Sequence, residues 1–182
     1  MVDEQETVVL VDERDREVGQ APKLQAHASG ALHRAFSVFV LNGRGEVLLQ
    51  RRADGKYHSG GLWTNTACGH PRPGEPVALA ARRRLQEEMG VDCALEPAGA
   101  FVYQAKVGGG LREHEFDHVF VGRHDASPTP DAAEASEWRW QSPQAALAEA
   151  EAHPERFTPW FAQALRELIG RATTRLLARA DR

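Results

Sequence analysis

Two rhythms of apolar and polar residues run along this chain. The first is short and strand-like. Thr7-Val8-Val9-Leu10-Val11-Asp12 is a β-branched run, and the polar residues Glu13 to Glu17 behind it suit a hairpin turn. Leu32 to Leu41, dense in Phe, Val and Ser, predicts another strand. Asn42-Gly43-Arg44-Gly45 then turns the chain into Glu46-Val47-Leu48-Leu49-Gln50, a strong hairpin signal. A glycine-containing loop, Ala53 to Leu62, leads to the strand candidate Trp63-Thr64-Asn65-Thr66-Ala67. Phe101 to Lys106 and Glu113 to Val121 predict two more strands, separated by Gly108-Gly109-Gly110.

The second rhythm is helical. Pro76 suits a first helical turn, Val77, Ala81, Leu85 and Met89 recur every four residues, and Gly90 supplies the stop. Residues 125–135, rich in Ala, Pro, Ser and Asp, read as a loop. Two helices close the chain: Pro143 to Ala152, and roughly Pro159 to Arg179, where Phe161, Leu165, Leu168, Ala172 and Leu176 form a stripe. No internal repeat is visible. Strands interspersed with helices predict an α/β or α+β sandwich. A chain of 182 residues suits one domain, 1–182, with one hydrophobic core.

Composition excludes more than it assigns. At 42% hydrophobic and 26% charged the chain is neither disordered nor fibrous. A net charge of −4 gives no basic excess for nucleic acid, although a local basic site for a small anion stays open. Cys68 and Cys93 are too few for a disulfide framework. Met1-Val2-Asp3-Glu4 lacks the basic and apolar regions of a signal peptide, and no apolar run reaches the ~18–20 residues that cross a bilayer. A cytoplasmic protein with no membrane partner is expected.

Candidate chemistry gathers in three places. Glu113 and Glu115 lie two apart in a predicted strand, so both carboxylates leave one face while His114, Phe116, His118 and Phe120 leave the other. Either this is a solvated face backed by a buried one, or two carboxylates share a cation that relieves their repulsion. Eight histidines are available as partners. His27 and His33 flank Ala28 to Leu32, a short segment read as a loop that turns both rings to one centre, and His70 is a third candidate. Such a set suits Mn²⁺, Zn²⁺ or Mg²⁺. Each histidine alone is also an ordinary structural residue, and His58, His124 and His153, in loop-like segments, are read that way.

On the predicted helix Arg84 and Glu88 share a face, as do Arg83 and Glu87. They are surface ion pairs, or else Glu87 or Glu88 holds Mg²⁺ while an Arg grips phosphate oxygens. Arg51, Arg52 and Lys56 form a second basic cluster, suited to phosphate by fork geometry and mobile point charge. Cys93, in an apolar context, reads as a small core residue. Cys68, two residues before His70 and near cations that would favour thiolate, is either reactive or a space-filler. With no second Cys pair it is not part of a zinc ribbon.

At these residues the chain resembles a known family. Gly69, five residues, Glu75, seven residues, then Arg83-Arg84-Leu85-Gln86-Glu87-Glu88-Met89-Gly90-Val91 is similar to a Nudix box. Arg84 stands where Nudix hydrolases carry a metal-binding Glu, which argues against hydrolysis. Trp63-Thr64-Asn65-Thr66-Ala67-Cys68-Gly69-His70-Pro71 resembles the type 1 isopentenyl-diphosphate Δ-isomerases of that superfamily. So do Leu32-His33-Arg34-Ala35-Phe36, Tyr103, Glu113-His114-Glu115 and Thr158-Pro159-Trp160.

The resemblance implies a Nudix-like mixed β-sheet sandwich flanked by helices, with its core about 30–170. It implies conversion of isopentenyl diphosphate to dimethylallyl diphosphate by a monomer that needs no nucleic acid or membrane. It further implies a metal held by His27, His33, His70, Glu113 and Glu115, and a Mg²⁺ at Glu88 shared with the diphosphate. Arg52, Lys56 and Arg84 would bind diphosphate, Cys68 and Glu115 form the catalytic pair, Tyr103 assist, and Trp160 wall the site. Proton addition at one carbon and removal two carbons away needs two acid/base groups on opposite faces of the carbon chain. The order favoured is protonation by Glu115 with Tyr103 and abstraction by Cys68. Trp160 would stabilise the carbocation through its π face. The N-terminal segment and Gly108–Gly110 are candidate lids. The rivals are a Nudix diphosphohydrolase and a non-catalytic diphosphate- or metal-binding module.

Overall fold

The computed structural model describes residues 6–180, with side chains described through Arg171. Met1-Val2-Asp3-Glu4 and the side chains of Ala172 and Leu176 in the predicted stripe lie outside the described residues. Strands β1 (Thr7–Val11) and β2 (Glu17–Pro22) form the first hairpin and lead into helix α1 (Lys23–Ser29). Strands β3 (His33–Leu41), β4 (Val47–Arg52), β5 (Trp63–Thr64) and β6 (Ala67–Gly69) follow, then helix α2 (Val77–Met89). The long hairpin of β7 (Leu95–Gly108) and β8 (Leu111–Arg123) precedes β9 (Ala135–Gln141), α3 (Pro143–Ala152) and α4 (Phe161–Ala180). Among the described residues all nine strands belong to one mixed sheet, so the expected α+β sandwich is the observed fold.

β3 is the hub of that sheet. It pairs in parallel with β8 from His33↔Glu115 to Leu41↔Arg123, and antiparallel with β6 through Ser37↔Cys68. Because strand side chains alternate, β3 feeds two cores. Phe36, Val38 and Val40 pack with Ala81, Leu85 and Met89 of α2 on one face. Phe39 packs with Phe161, Leu165 and Leu168 of α4 on the other. The every-four stripe of α2 is thus buried as its spacing predicted, and each fully buried Leu of this kind is worth about 1.5–3 kcal/mol. Gly90 ends α2 at φ 63, and a Cβ there would sit 2.7 Å from the Thr129 carbonyl oxygen, so both conformation and space demand glycine.

Three expectations change. His27 does not border a loop but sits on α1, which ends at Gly30 with φ 70. The helix is two turns long, too short for periodicity to reveal. The run Trp63–Ala67 is not one strand, because the Asn65 carboxamide donates to the carbonyls of Ala67 and Val38 and breaks the ladder into β5 and β6. β9 went unpredicted; its exposure pattern lacks alternation, and pairing with β4 makes it a strand. No helix among the described residues is long and apolar enough to cross a membrane.

Candidate active site

Register builds the site. Glu115 of β8 faces His33 as its parallel partner on β3 and Tyr103 as its antiparallel partner on β7. Alternation along β8 sends Glu113, Glu115 and Asp117 to the face that α4 covers, where they are 2%, 7% and 1% exposed. The acidic face is therefore the buried one, and the reading of a solvated carboxylate face falls away. With Cys68, His70, Arg52, Glu88 and Trp160, these carboxylates line a narrow cavity of about 50 Å³.

At one end of this cavity imidazoles and carboxylates converge. His27 donates from Nδ1 to the Lys23 carbonyl at 2.7 Å, and His33 from Nδ1 to the Ala31 carbonyl at 2.9 Å. Those bonds fix the tautomer and leave each Nε2 with a lone pair. Neither Nε2 has a hydrogen-bond partner, nor do Glu113 Oε2 and His70 Nδ1. His27 Nε2 nevertheless lies 3.1 Å from Glu113 Oε2, and His33 Nε2 lies 3.5 Å from Glu115 Oε1. His70 Nε2 is 2.7 Å from that same Oε1. Ligand atoms of His27, His33, His70 and Glu115 all lie within 4.8 Å of one another. Lone pairs brought together in a buried space need a cation between them, so these residues fit a divalent metal ion.

Ionisation follows from burial and these contacts. Burial opposes charge on Glu115, but His33 and His70 overcome it and hold its carboxyl well below the usual range. Burial lowers His70 to about 4. Asp117 is held well above the usual carboxylate range by burial and by Glu115, and accepts a hydrogen bond from Ser37 Oγ at 2.8 Å. Tyr103 Oη donates to Glu115 Oε2 at 2.5 Å and, buried beside carboxylates, is held well above an ordinary phenol. Cys68 reverses an expectation. Burial and the Glu88 carboxylate push its thiol up to about 12, outweighing Arg52 with Nη1 3.8 Å from the sulfur. The nearby cation does not make a thiolate.

The Trp-Thr-Asn segment has a structural reason. Asn65 Oδ1 accepts from Trp160 Nε1 at 3.1 Å and from Thr64 Oγ1 at 2.8 Å, and Thr64 Oγ1 also meets Thr158 Oγ1 at 2.8 Å. This buried network sets the Trp160 ring, 4% exposed, with its centroid 6.2 Å from that of Tyr103.

At the other end cations meet carboxylates. Arg84 reaches Glu88 Oε1 at 3.0 Å, Glu87 Oε2 at 2.9 Å and Glu134 Oε2 at 3.0 Å. Lys56 Nζ lies 2.5 Å from the same Glu134 oxygen. Gln50 Nε2 donates to Glu88 Oε2 at 2.6 Å. Lys56, Arg84 and Glu134 also line a wider outer basin, so they form the partition between basin and inner cavity.

The chain matches the NUDIX domain model over residues 31–161. It is 53% identical over 165 residues to isopentenyl-diphosphate Delta-isomerase 2 of Aromatoleum aromaticum, covering 91% of this chain and 87% of that protein. To the isopentenyl-diphosphate Delta-isomerase of Serratia proteamaculans it is 48% identical over 163 residues, covering 90% and 91%. The chain belongs to the isopentenyl-diphosphate Δ-isomerase family within the Nudix superfamily. Among solved structures, DR0079 from Deinococcus radiodurans superposes with a TM-score of 0.72 at 23% identity, covering 90% of this chain and 99% of that one. A MutT protein from Methanosarcina mazei Go1 gives 0.63 at 21%, covering 75% and 92%. These two bear on the fold alone.

Within this isomerase-family chain, the residues singled out from sequence come together. Cys68, His70, Glu88, Glu113, Glu115, Arg52, Lys56, Arg84 and Trp160 line the cavity, with His27, His33 and Tyr103 in contact behind its carboxylates. Arg51 does not join them; it turns to Glu137 and the Gly61 carbonyl. Cys93 packs against the α2-side core, as its context suggested. Other lining residues are not singled out by the sequence. His58, set aside as structural, lies 2.8 Å from Glu113 Oε1. Lys23, Asp117 and Glu134 also line the cavity. Two had a legible signal, since Lys23 is four residues before His27 and Asp117 continues the every-other pattern of Glu113 and Glu115.

Proposed function

We propose that this protein isomerises isopentenyl diphosphate to dimethylallyl diphosphate by proton addition and removal, in isoprenoid biosynthesis. The observation that carries this is a half-buried thiol, pushed up to about 12, and a carboxylate held well below its usual range lining one cavity, in a chain about half identical to proteins named for that reaction. A divalent ion at His27, His33, His70, Glu113 and Glu115, of the Mg²⁺, Mn²⁺ or Zn²⁺ class, would let two carboxylates stay ionised side by side, while Mg²⁺ at Glu88 would offset diphosphate charge. Arg52, Lys56 and Arg84, with Lys23 beside them, bind the diphosphate.

Cys68 and Glu115 are the acid/base pair. Protonation of the terminal alkene carbon makes a tertiary carbocation, and proton loss two carbons away makes the product. Whichever group donates, the cation then stands between a thiolate and a carboxylate, so its surroundings are the same in both directions. In the metal-free protein the transferable proton resides on Cys68. That favours Cys68 as donor and Glu115 as acceptor, the reverse of the order drawn from sequence. Tyr103 keeps its proton and orients Glu115, while Trp160 faces the cation and the narrow cavity limits access of the water that would trap it.

Hydrolysis is disfavoured because the cation Arg84, paired with Glu87, Glu88 and Glu134, stands where Nudix hydrolases carry a metal-binding Glu. Residues 1–182 act as one domain, core about 30–170, a monomer in the cytoplasm working on a small molecule without nucleic acid or membrane. The purified protein, given isopentenyl diphosphate and Mg²⁺, should form dimethylallyl diphosphate, and in deuterated water the product should carry solvent deuterium. No product under any of Mg²⁺, Mn²⁺ and Zn²⁺ would sink the assignment.

A further inference from the structure

We propose that His58 is a positioning residue that aims the Glu113 carboxylate into the metal cluster and fastens the loop carrying Lys56 to it. The proposal rests on the metal assignment above. His58 lies in the segment 53–62, between β4 and β5, which closes on itself. Arg52 N donates to the Leu62 carbonyl at 2.9 Å, Gly61 N to the Arg52 carbonyl at 3.0 Å and Lys56 N to the Ala53 carbonyl at 3.2 Å. Its crossing is tight: a Cβ on Gly60 would lie 2.6 Å from the Asp54 carbonyl oxygen. Ser59 holds φ 54, a backbone region that L-residues rarely adopt, and such strain persists where the surroundings over-determine it. The loop spends this closure on turning one imidazole inward, with the His58 side chain only 4% exposed.

That imidazole makes a directional contact. Glu113 Oε1, an acceptor only when ionised, lies 2.8 Å from His58 Nε2, so Nε2 carries the proton and donates. His58 Nδ1 is then free to accept from Ser59 Oγ at 3.1 Å. The two Glu113 oxygens therefore have different duties. Oε1 is engaged by His58, and Oε2, without a hydrogen-bond partner, is left beside His27 Nε2. A ligand held by a second hydrogen bond loses less freedom when a metal binds, and loss of such a bond typically weakens affinity about 10–100-fold. The same residue reaches the rest of the site. Its carbonyl accepts from Arg52 Nη2 at 3.3 Å, Arg52 Nη1 approaches Cys68, and Lys56 lies two residues back on the loop. His58 on Glu113 and Lys56 at the anion end thus belong to one loop, which couples the two sites, and such coupling is reciprocal.

Competition of the metal-free protein with a chromophoric chelator for Zn²⁺ tests this without any isoprenoid substrate. His58→Phe, which keeps the ring but not the donor, should bind Zn²⁺ about 10–100-fold more weakly. His58→Gln, whose amide N–H reaches Glu113 Oε1, should recover most of the loss. Zn²⁺ loading should also tighten inorganic diphosphate binding in the wild type and not in His58→Phe. Wild-type Zn²⁺ affinity in His58→Phe would overturn the proposal. So would a His58→Gln protein as weak as His58→Phe, which would make His58 a ligand in its own right. Failure here leaves isomerisation standing, and an inactive wild type that binds Zn²⁺ as expected refutes the isomerase reading alone.

Discussion

The two ends of the cavity solve opposite electrostatic problems. At the His/Glu end, Glu113 and Glu115 are ionised among imidazoles, and buried nitrogen and oxygen atoms there lack hydrogen-bond partners. At the Arg/Lys end, charge is balanced internally, with Arg84 and Lys56 both on Glu134 and Arg84 also on Glu87 and Glu88. The first end is shaped by hydrogen bonds to backbone carbonyls, that of Lys23 in α1 and that of Ala31 in the short connection to β3. The second is held by side-chain ion pairs, which an incoming anion can exchange one for one. A rigid end suits a resident ion and an exchangeable end suits a substrate that comes and goes.

The largest effect that would break this contrast is catalytic. Glu115→Gln should lower kcat by about 10²–10⁴ with little change in KM, and Cys68→Ser should do the same. Steady-state kinetics on folded variants check it, and a KM effect alone would move both residues to the binding end. Next comes metal removal, which should abolish turnover reversibly. It should also lower Tm by about 5–10 °C if the ion was bound at about a hundred times its Kd. Calorimetry with and without chelator reads this, and an unchanged Tm would mean the end is not a resident site.

pH sharpens the contrast on the metal-free protein. His70, lowered to about 4 by burial, is protonated in the unfolded chain first, so its contribution is present above about 6.5 and lost as pH falls toward 4, about 3 kcal/mol in all. Glu113 and Glu115, held low, add a loss in the same direction below the ordinary carboxylate range. His27 opposes them. Burial disfavours its charge, but Glu113 raises its pKa overall, so its contribution is present in acid and lost as pH rises. Urea melts from pH 7 to 4 should therefore be steeper for wild type than for His70→Gln. The smallest effects belong to the exchangeable end. Lys56→Ala should raise KM severalfold, while Glu134→Gln, removing the internal competitor, should lower KM by a factor of about 2–5, in keeping with the ~1 kcal/mol of an ion pair still in part open to water. A raised KM in Glu134→Gln would show that it positions the cations rather than competing with the diphosphate.

Legibility in the sequence followed locality. The α2 stripe, the Asn42–Gly45 turn and the glycine turn between β7 and β8 are set by neighbours in the chain, and their periodicity or turn chemistry shows at once. Motifs in the sequence point to Cys68 and Glu115, which line one cavity, and to His27, His33, His70 and Glu113, which gather beside them as candidate ligands. α1 was missed because two turns carry too little pattern, and β9 because its strand character comes from β4. His58 reads as structural because nothing local distinguishes a loop histidine facing solvent from one facing a carboxylate 55 positions away.

By itself the sequence determined the layered class of the fold, the family, and which residue types could do the chemistry, because spacing and side-chain identity are properties of a chain. Only the tertiary structure decided their state. Parallel pairing of β3 with β8 sets His33 against Glu115, and antiparallel pairing of β7 sets Tyr103 on its other side. The core under α4 half-buries Cys68 with a carboxylate nearby, which pushes its thiol up to about 12. Ionisation depends on what surrounds a group in space, and residues brought together from opposite ends of the chain supply those surroundings.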